Sequence, residues 1–376
     1  MTQPIATPES PEVVETSDPF DGTPYRMIRR LARGGMGQVY LVEHRELGRE
    51  CVAKLVHEKL ASEPQLIERV RIEAESLGTL NHPNIVSVNN FGTTMDGRPF
   101  IVMEYLRGRD LARTLASGRS FSAAESIDLV LQACSALGAA HSIGIVHRDI
   151  KPENLFLHEE PDGGVTLKVL DFGVARIIPG VSPDAPTPLP QPTKTGVIVG
   201  TLRYASPEGV AGYRVDYRAD IYSLGLVLYR LLAGHGPFKD ELTDTGQITA
   251  CLTEEPKPPS FFATIRIPDE LDAIVLKALR KLPDERYSSA KEFSEALSQA
   301  RRLVEADVDD REAATFPLAA RASGTRLLSS TAPAARNIAT KRALTVNVIL
   351  FAVVLLVTTL LVGIIVSQLN RTPVGP

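Results

Sequence analysis

Short apolar runs with strand-like alternation fill the first third of the chain, and longer runs with helical spacing follow. Met27–Leu31 reads as a strand. Cys51–Leu55 reads as a buried strand interrupted by a lysine, Lys54. A helix is predicted over 66–80. Ile85–Phe91 and Pro99–Tyr105 are two more strands, joined by a turn at Asp96-Gly97. Ser122-Ala123-Ala124-Glu125 has the form of a capping box, in which each outer side chain accepts from the other's backbone N–H. It opens a helix ending near His141, with Ile127, Val130, Leu131, Cys134 and Leu137 on its apolar face. Thr166–Leu170 is strand-like. Asp220 begins a strongly apolar helix that runs to Ala233, with Gly234 as its C-cap. A last helix is predicted over Ser289–Leu303.

Four stretches break this pattern. Residues 1–24 are rich in Pro, Thr, Ser and Glu and are read as a disordered lead. The prolines at 179, 183, 186, 188, 190 and 192 exclude a helix or a central strand there and suggest a mobile flap. Residues 303–342 turn to Ala, Arg, Ser and Thr without a period, as a flexible linker would. Leu344–Val366 then carries no charge and is apolar on all faces. As a helix it would measure about 35 Å, enough to cross a bilayer. The expected layout is a folded domain at 25–302, a transmembrane helix at 343–366 and a short outer tail at 367–376.

Charge orients this layout. Residues 313–342 hold Arg321, Arg326, Arg336, Lys341 and Arg342 and no acid, which places the domain on the cytoplasmic side of the inner membrane in a single-pass arrangement. The net charge of −4 argues against a dedicated nucleic-acid binder. Cys51, Cys134 and Cys251 are far apart and lack metal-ligand spacing, so reduced packing thiols are expected. The N-terminus has no basic-then-apolar signature of a cleaved secretory signal.

The chemistry concentrates in His147-Arg148-Asp149-Ile150-Lys151-Pro152-Glu153-Asn154. Asp149 offers a base for a hydroxyl proton, Lys151 a cation beside it, and Asn154 a carbonyl oxygen for a hard metal ion. Asp171-Phe172-Gly173 adds a second metal carboxylate behind a strand. A base, a cation and two oxygen ligands are what phosphoryl transfer from Mg-ATP requires of a protein. Upstream, Leu31-Ala32-Arg33-Gly34-Gly35-Met36-Gly37-Gln38-Val39 places glycines at a hairpin where backbone N–H groups can approach phosphates. A lysine inside an apolar strand needs a partner. Glu68, Glu73 and Glu75 on the following helix are the candidates for Lys54.

These motifs, in this order, resemble those of the protein kinases: the glycine-rich loop, the strand lysine, the catalytic loop and the Asp-Phe-Gly triplet. The Gly-Gly-Met-Gly loop, Asn81-His82-Pro83-Asn84-Ile85-Val86 and the C-terminal span resemble the bacterial eukaryote-like (Hanks-type) Ser/Thr kinases in particular. The resemblance implies an α+β bilobal fold, with an antiparallel sheet and one helix in the first lobe and a mainly helical second lobe. It implies ATP and Mg²⁺ as cofactors and Ser/Thr hydroxyls of proteins as acceptors. Asp149 and Lys151 would be catalytic, and Asn154 and Asp171 would hold the metal. Residues 31–39 with Ala53, Lys54 and Glu73 would bind the nucleotide. Backbone groups of Glu104 and Leu106 would bond adenine, with Met103 walling the back pocket. Ala32 departs from the family, which has glycine there. Tyr204-Ala205-Ser206-Pro207-Glu208 is similar to the family's Ala-Pro-Glu signature, with Arg286 as the partner of Glu208 and Asp220 as a support of the catalytic loop. Autophosphorylation is expected at Thr193 or Thr195, with Thr201 orienting Asp149 and Lys151, and a homodimer acting in trans stays open. A pseudokinase, or a membrane scaffold recruiting partners through 179–192, are the competing readings.

Overall fold

Alternation of apolar and polar residues over 25–104 builds an antiparallel sheet. Its strands are β1 (Tyr25–Gly34), β2 (Gly37–His44), β3 (Glu50–Val56), β4 (Val88–Thr93) and β5 (Pro99–Glu104), in the order β1-β2-β3-β5-β4. The computed structural model describes residues 18–34, 37–57, 68, 71–72, 75, 78–172, 202–238 and 243–315. All of these lie in the unit Met1–Phe316, which is separate from Pro317–Pro376. Among the described residues no helix is long and apolar enough to cross a membrane. The predicted span at 343–366, its tail and most of its linker lie outside them, as do the proline-rich stretch, Thr193, Thr195 and Thr201.

Register sorts the sheet's side chains. Tyr40, Ala53 and Val102 are paired across β2, β3 and β5 and so share a face. With Val42, Cys51, Leu55 and Phe100 they form a small core. Phe20 closes it, fully buried, edge-on to Tyr40 at 5.4 Å and to Phe100 at 5.3 Å. The Asp18 carboxylate accepts from the backbone N–H groups of Phe20 and Met27, both at 2.9 Å, and fixes the approach. Residues 18–24 are therefore ordered, which corrects the disordered lead expected over 1–24. A composition averaged over two dozen residues hides one aromatic ring with a slot to fill. Phe20→Leu is expected to cost about 1 kcal/mol through its lost ring-edge contacts, seen as a lower urea midpoint. An unchanged midpoint would show that these ring contacts contribute nothing.

The second lobe opens with β6 (Gly108–Asp110), α1 (Leu111–Ala116) and α2 (Ala123–Ser142). β7 (Leu155–Glu159) and β8 (Val165–Val169) complete a three-stranded sheet, β6-β7-β8. Then follow α3 (Pro207–Val210), α4 (Arg218–Ala233), α5 (Asp244–Thr253), α6 (Asp269–Ala278) and α7 (Ala290–Thr315). Both bonds of the Ser122–Glu125 capping box are present, at 3.1 and 2.9 Å. α4 is buried on almost every side, and Gly234 ends it in the left-handed region at φ 83°. At Gly225 a β-carbon would sit 2.9 Å from that of Ala278, so the glycine is what lets α4 and α6 approach.

α7 continues to Thr315, into the stretch expected to be linker from 303. The stretch 303–315 contains no glycine or proline, Arg301 pairs with Glu305 at 2.7 Å one turn on, and the helix stops just short of Pro317. Arg301 also ties α7 to α2 through Asp128, at 2.9 and 3.1 Å.

The lobes meet at Asn81–Val86. Val169 donates to Asn84 O at 2.8 Å, and Val86 donates to Val169 O at 3.1 Å. The buried Asn84 amide donates to Leu167 O at 2.9 Å and to Gln132 Oε1 at 3.1 Å. The first sheet is thus joined to β8, the strand that leads into Asp171.

Candidate active site

The β7–β8 hairpin sets the frame. Leu155 is paired with Val169, and Leu170 donates to Asn154 O at 2.9 Å. Asn154 and Asp171 therefore emerge at the same end of one hairpin, although 17 residues separate them. Just before β7 the chain makes a 3₁₀ turn, Pro152–Asn154, with proline at its first position, where no N–H is needed.

Asp149 lies inside this turn's reach. Its Oδ2 accepts from Lys151 Nζ at 2.7 Å and from Asn154 Nδ2 at 3.0 Å, and its backbone carbonyl accepts from Asn154 Nδ2 at 2.7 Å. Because the Asn154 amide nitrogen makes both contacts, its carbonyl oxygen is turned away, as a metal ligand must be.

Asp220 at the start of α4 holds the loop from behind. Its buried carboxylate accepts from the backbone N–H groups of His147 at 2.8 Å and Arg148 at 2.7 Å, and contacts His141 Nε2 at 2.8 Å. This is the support expected of it. Those bonds pin Arg148 at φ 67°, and Asp171 lies at φ 54°. No other described residue except glycine has a positive φ. Each such conformation costs on the order of 1 kcal/mol and persists where surrounding contacts enforce it. The imidazole of His147 supplies part of that enforcement. It bonds Leu170 O at 2.8 Å, and its ring centroid lies 4.7 Å from that of the buried Phe172.

From the first lobe, Lys54 Nζ donates to Asp171 Oδ1 at 2.7 Å. Lys54 is paired in register with Val39 and Ile101, so these three side chains share one face of the sheet. Burial works to raise the Asp171 pKa, but the Lys54 charge and hydrogen bond, with His147 and Lys151 beyond, bring it below the usual carboxylate value. The carboxylate is thus held ionised while its side chain keeps 39% exposure, so it could hold a cation.

The remaining predicted residues fall as follows. Leu31, Ala32, Arg33 and Gly34 end β1, and Gly37, Gln38 and Val39 begin β2. Gly35 and Met36 at the hairpin tip lie outside the described residues. Gly37 has a reason beyond phosphate access, because a β-carbon there would stand 2.0 Å from Leu55 O. Ala53 is a correction. Consecutive strand residues point to opposite faces, so next to Lys54 it turns away from the cleft and is buried in the Phe20 core. Val52 has the parity that shares the Lys54 face.

Glu73, the expected Lys54 partner, lies outside the described residues. The other two candidates, Glu68 and Glu75, are exposed and share Arg71. Glu104 ends β5, and Leu106 follows it into the second lobe. The Glu104 N–H donates to Ser87 O at 3.0 Å and is thus engaged within the protein.

The Glu104 side chain was missed by the sequence reading. It accepts from Ser87 N at 2.8 Å and from Lys168 Nζ at 2.9 Å, fastening β5 to β8 behind the cleft. The signal existed, because Lys168 sits in an apolar strand as Lys54 does, and a buried lysine asks for a partner.

The model of the protein kinase domain matches residues 25–299. The chain is 39% identical over 298 residues to the serine/threonine-protein kinase Pkn1 of Myxococcus xanthus, covering 78% of this chain and 41% of that protein. It is 38% identical over 274 residues to the serine/threonine-protein kinase PknB of Mycolicibacterium smegmatis, covering 72% and 41%. The chain thus spans about two fifths of the length of these relatives. Among solved structures, the PknI kinase domain of Mycobacterium tuberculosis is similar with a TM-score of 0.55 at 28% identity, covering 74% of this chain and 96% of that one.

Proposed function

Because the chain belongs to the protein kinase domain family, we propose that it transfers the γ-phosphoryl group of ATP to serine or threonine hydroxyls of proteins. The observation that carries this reading is the 2.7 Å bond from Lys54 to Asp171, which brings a cation of the first lobe onto a carboxylate beside Asp149's loop. Asp149 accepts the hydroxyl proton as the bond from that oxygen to the γ-phosphorus forms and the bond to the β-phosphate oxygen breaks, releasing ADP. Lys151, already on Asp149, stays beside the γ-phosphate and offsets its charge. Lys54 leaves Asp171 for the α- and β-phosphates when nucleotide enters, with Glu73 as its second partner. Asn154 and Asp171 fit a magnesium ion, since both are hard oxygen donors at one hairpin end and the carboxylate is held ionised. Magnesium, when bound, neutralises charge on the β- and γ-phosphates. The Glu104 carbonyl and Leu106 bond adenine, and Val39 and Val52 cover its face.

The finer parts of the proposal concern regulation and place. Thr193 or Thr195 takes the activating phosphate. The segment at 343–366 anchors the domain to the inner membrane, and two copies phosphorylate each other. The two relatives, both named serine/threonine-protein kinases, support the acceptor class.

The test is transfer from γ-labelled ATP to a serine- and threonine-bearing protein, with and without magnesium. Labelled phosphoserine or phosphothreonine is expected only with magnesium, and Lys54→Met is expected to lose it. Label that is independent of magnesium or of Lys54 would overturn the proposal.

A further inference from the structure

β8 carries a lysine that the phosphotransfer steps do not use. The Lys168 side chain keeps only 11% exposure, and its Nζ donates to Glu104 Oε1 at 2.9 Å. The same oxygen accepts from Ser87 N at 2.8 Å. Methionine would fill the place of Lys168 with no charge to desolvate. Exchanging a buried ion pair for apolar residues is often neutral or stabilising. Stability is therefore a weak reason for this pair, and its position supplies a stronger one.

Glu104 ends β5, where the first lobe passes into the second. Its N–H donates to Ser87 O at 3.0 Å, so the segment 84–88 is bonded to β5 on one side. On the other side Val86 donates to Val169 O at 3.1 Å, and Val169 donates to Asn84 O at 2.8 Å. The backbone thus links β5 to β8 through an intervening segment. Lys168 and Glu104 close the same link through side chains. Lys168 lies three residues before Asp171. It adjoins Val169, whose pairing with Leu155 sets the hairpin end where Asn154 and Asp171 emerge. One ion pair therefore joins the residue assigned to adenine to the strand assigned to magnesium.

We propose that Lys168 is a positioning residue that couples the two ends of the Mg-ATP site. It holds the end of β5 and the end of β8 at the separation that one ATP molecule must bridge. A ligand that touches both ends binds more tightly when their spacing is set beforehand, because less ordering is left to the binding step. A ligand that touches one end gains nothing from the strut. This rests on the phosphotransfer reading above, which places adenine at Glu104 and magnesium at Asp171.

The full chain is titrated at equilibrium with Mg-ATP, with adenosine and with magnesium tripolyphosphate, and transfer kinetics are measured beside the titrations. Lys168→Met is expected to weaken Mg-ATP about tenfold, within the usual range for coupled sites. It is expected to leave adenosine and magnesium tripolyphosphate unchanged, since each meets one end alone. KM for ATP rises by the same factor while kcat at saturating ATP stays within about twofold, the signature of lost binding without lost chemistry. Lys168→Arg, which keeps a donor for Glu104, is expected to restore Mg-ATP affinity. Should Lys168→Met not fold, Glu104→Gln keeps an oxygen for Ser87 N, removes the charge and is expected to weaken Mg-ATP in the same selective way. Unchanged Mg-ATP affinity overturns the inference. So does an equal loss for adenosine, which would make the pair a local support of β5, and so does a higher kcat, which would make it a restraint on turnover. The titrations need no turnover. A wild-type chain that binds Mg-ATP and transfers nothing would therefore remove the phosphotransfer reading while the coupling is still decided.

Discussion

Asp149→Asn is expected to lower kcat by about 10²- to 10⁴-fold, the usual contribution of a general base, with little change in Mg-ATP affinity. Lys151 Nζ and Asn154 Nδ2 both donate to Oδ2 of Asp149. The other oxygen is left, among the described residues, for an incoming hydroxyl. In the variant the new amide must turn its carbonyl to those two donors, because its NH₂ group would face donors otherwise. The NH₂ then points at the substrate. It can donate to the hydroxyl oxygen but cannot take its proton. The loop's shape survives, since Asp220 holds it through the backbone of His147 and Arg148 and not through Asp149. Asp171→Asn is different in kind. It removes the carboxylate that Lys54 holds ionised, so magnesium-dependent nucleotide binding itself weakens. Isothermal titration with Mg-ATP beside single-turnover transfer separates the two variants. Retention of kcat within tenfold in Asp149→Asn would remove Asp149 from the base role.

The site was legible where one residue type has a single inexpensive use. A buried carboxylate at a helix start needs N–H donors, and Asp220 found those of the catalytic loop. The capping box at Ser122 and the glycine cap at Gly234 are local, and local chemistry is written in adjacent residues. Errors came where partners are distant or where an average replaces a pattern. Phe20 acquires its meaning from Tyr40 and Phe100, which nothing near it in the chain announces. The extension of α7 to Thr315 followed from the absence of any breaker before Pro317, a signal that the shift in composition outweighed. Ala53 was assigned to the nucleotide because it adjoins Lys54, although strand alternation sends neighbours to opposite faces. The Lys168–Glu104 pair needed a fold to bring β8 against β5 before either residue had a role.

Arg286→Met is expected to destabilise the domain by about 3–5 kcal/mol, as breaking a buried ion pair from one side does. The Arg286 side chain is fully buried, and all five of its N–H groups are used. Two go to the Glu208 carboxylate, at 2.8 and 2.7 Å. Three go to the carbonyls of Arg280, Arg218 and Lys281, at 2.8, 3.0 and 2.9 Å. Methionine fills much of the volume and supplies none of the donors. It leaves a carboxylate of 8% exposure without its countercharge. Adding Glu208→Gln is expected to recover part of the loss, because the uncompensated charge goes while the three carbonyls stay unmet. Urea denaturation of the single and double variants measures the difference. No recovery in the double variant would place the cost in the carbonyls and not in the buried charge. Against a typical domain stability of about 5–15 kcal/mol, the single loss leaves little margin. It also falls near the chemistry. Glu208 belongs to α3, and Arg218 O lies two residues before the Asp220 that holds the catalytic loop. Opening this pair frees the start of α4, and with it the carboxylate that keeps Arg148 in its left-handed turn and Asp149 in place. Transfer activity in Arg286→Met is therefore expected to be lost at a lower urea concentration than far-UV circular dichroism.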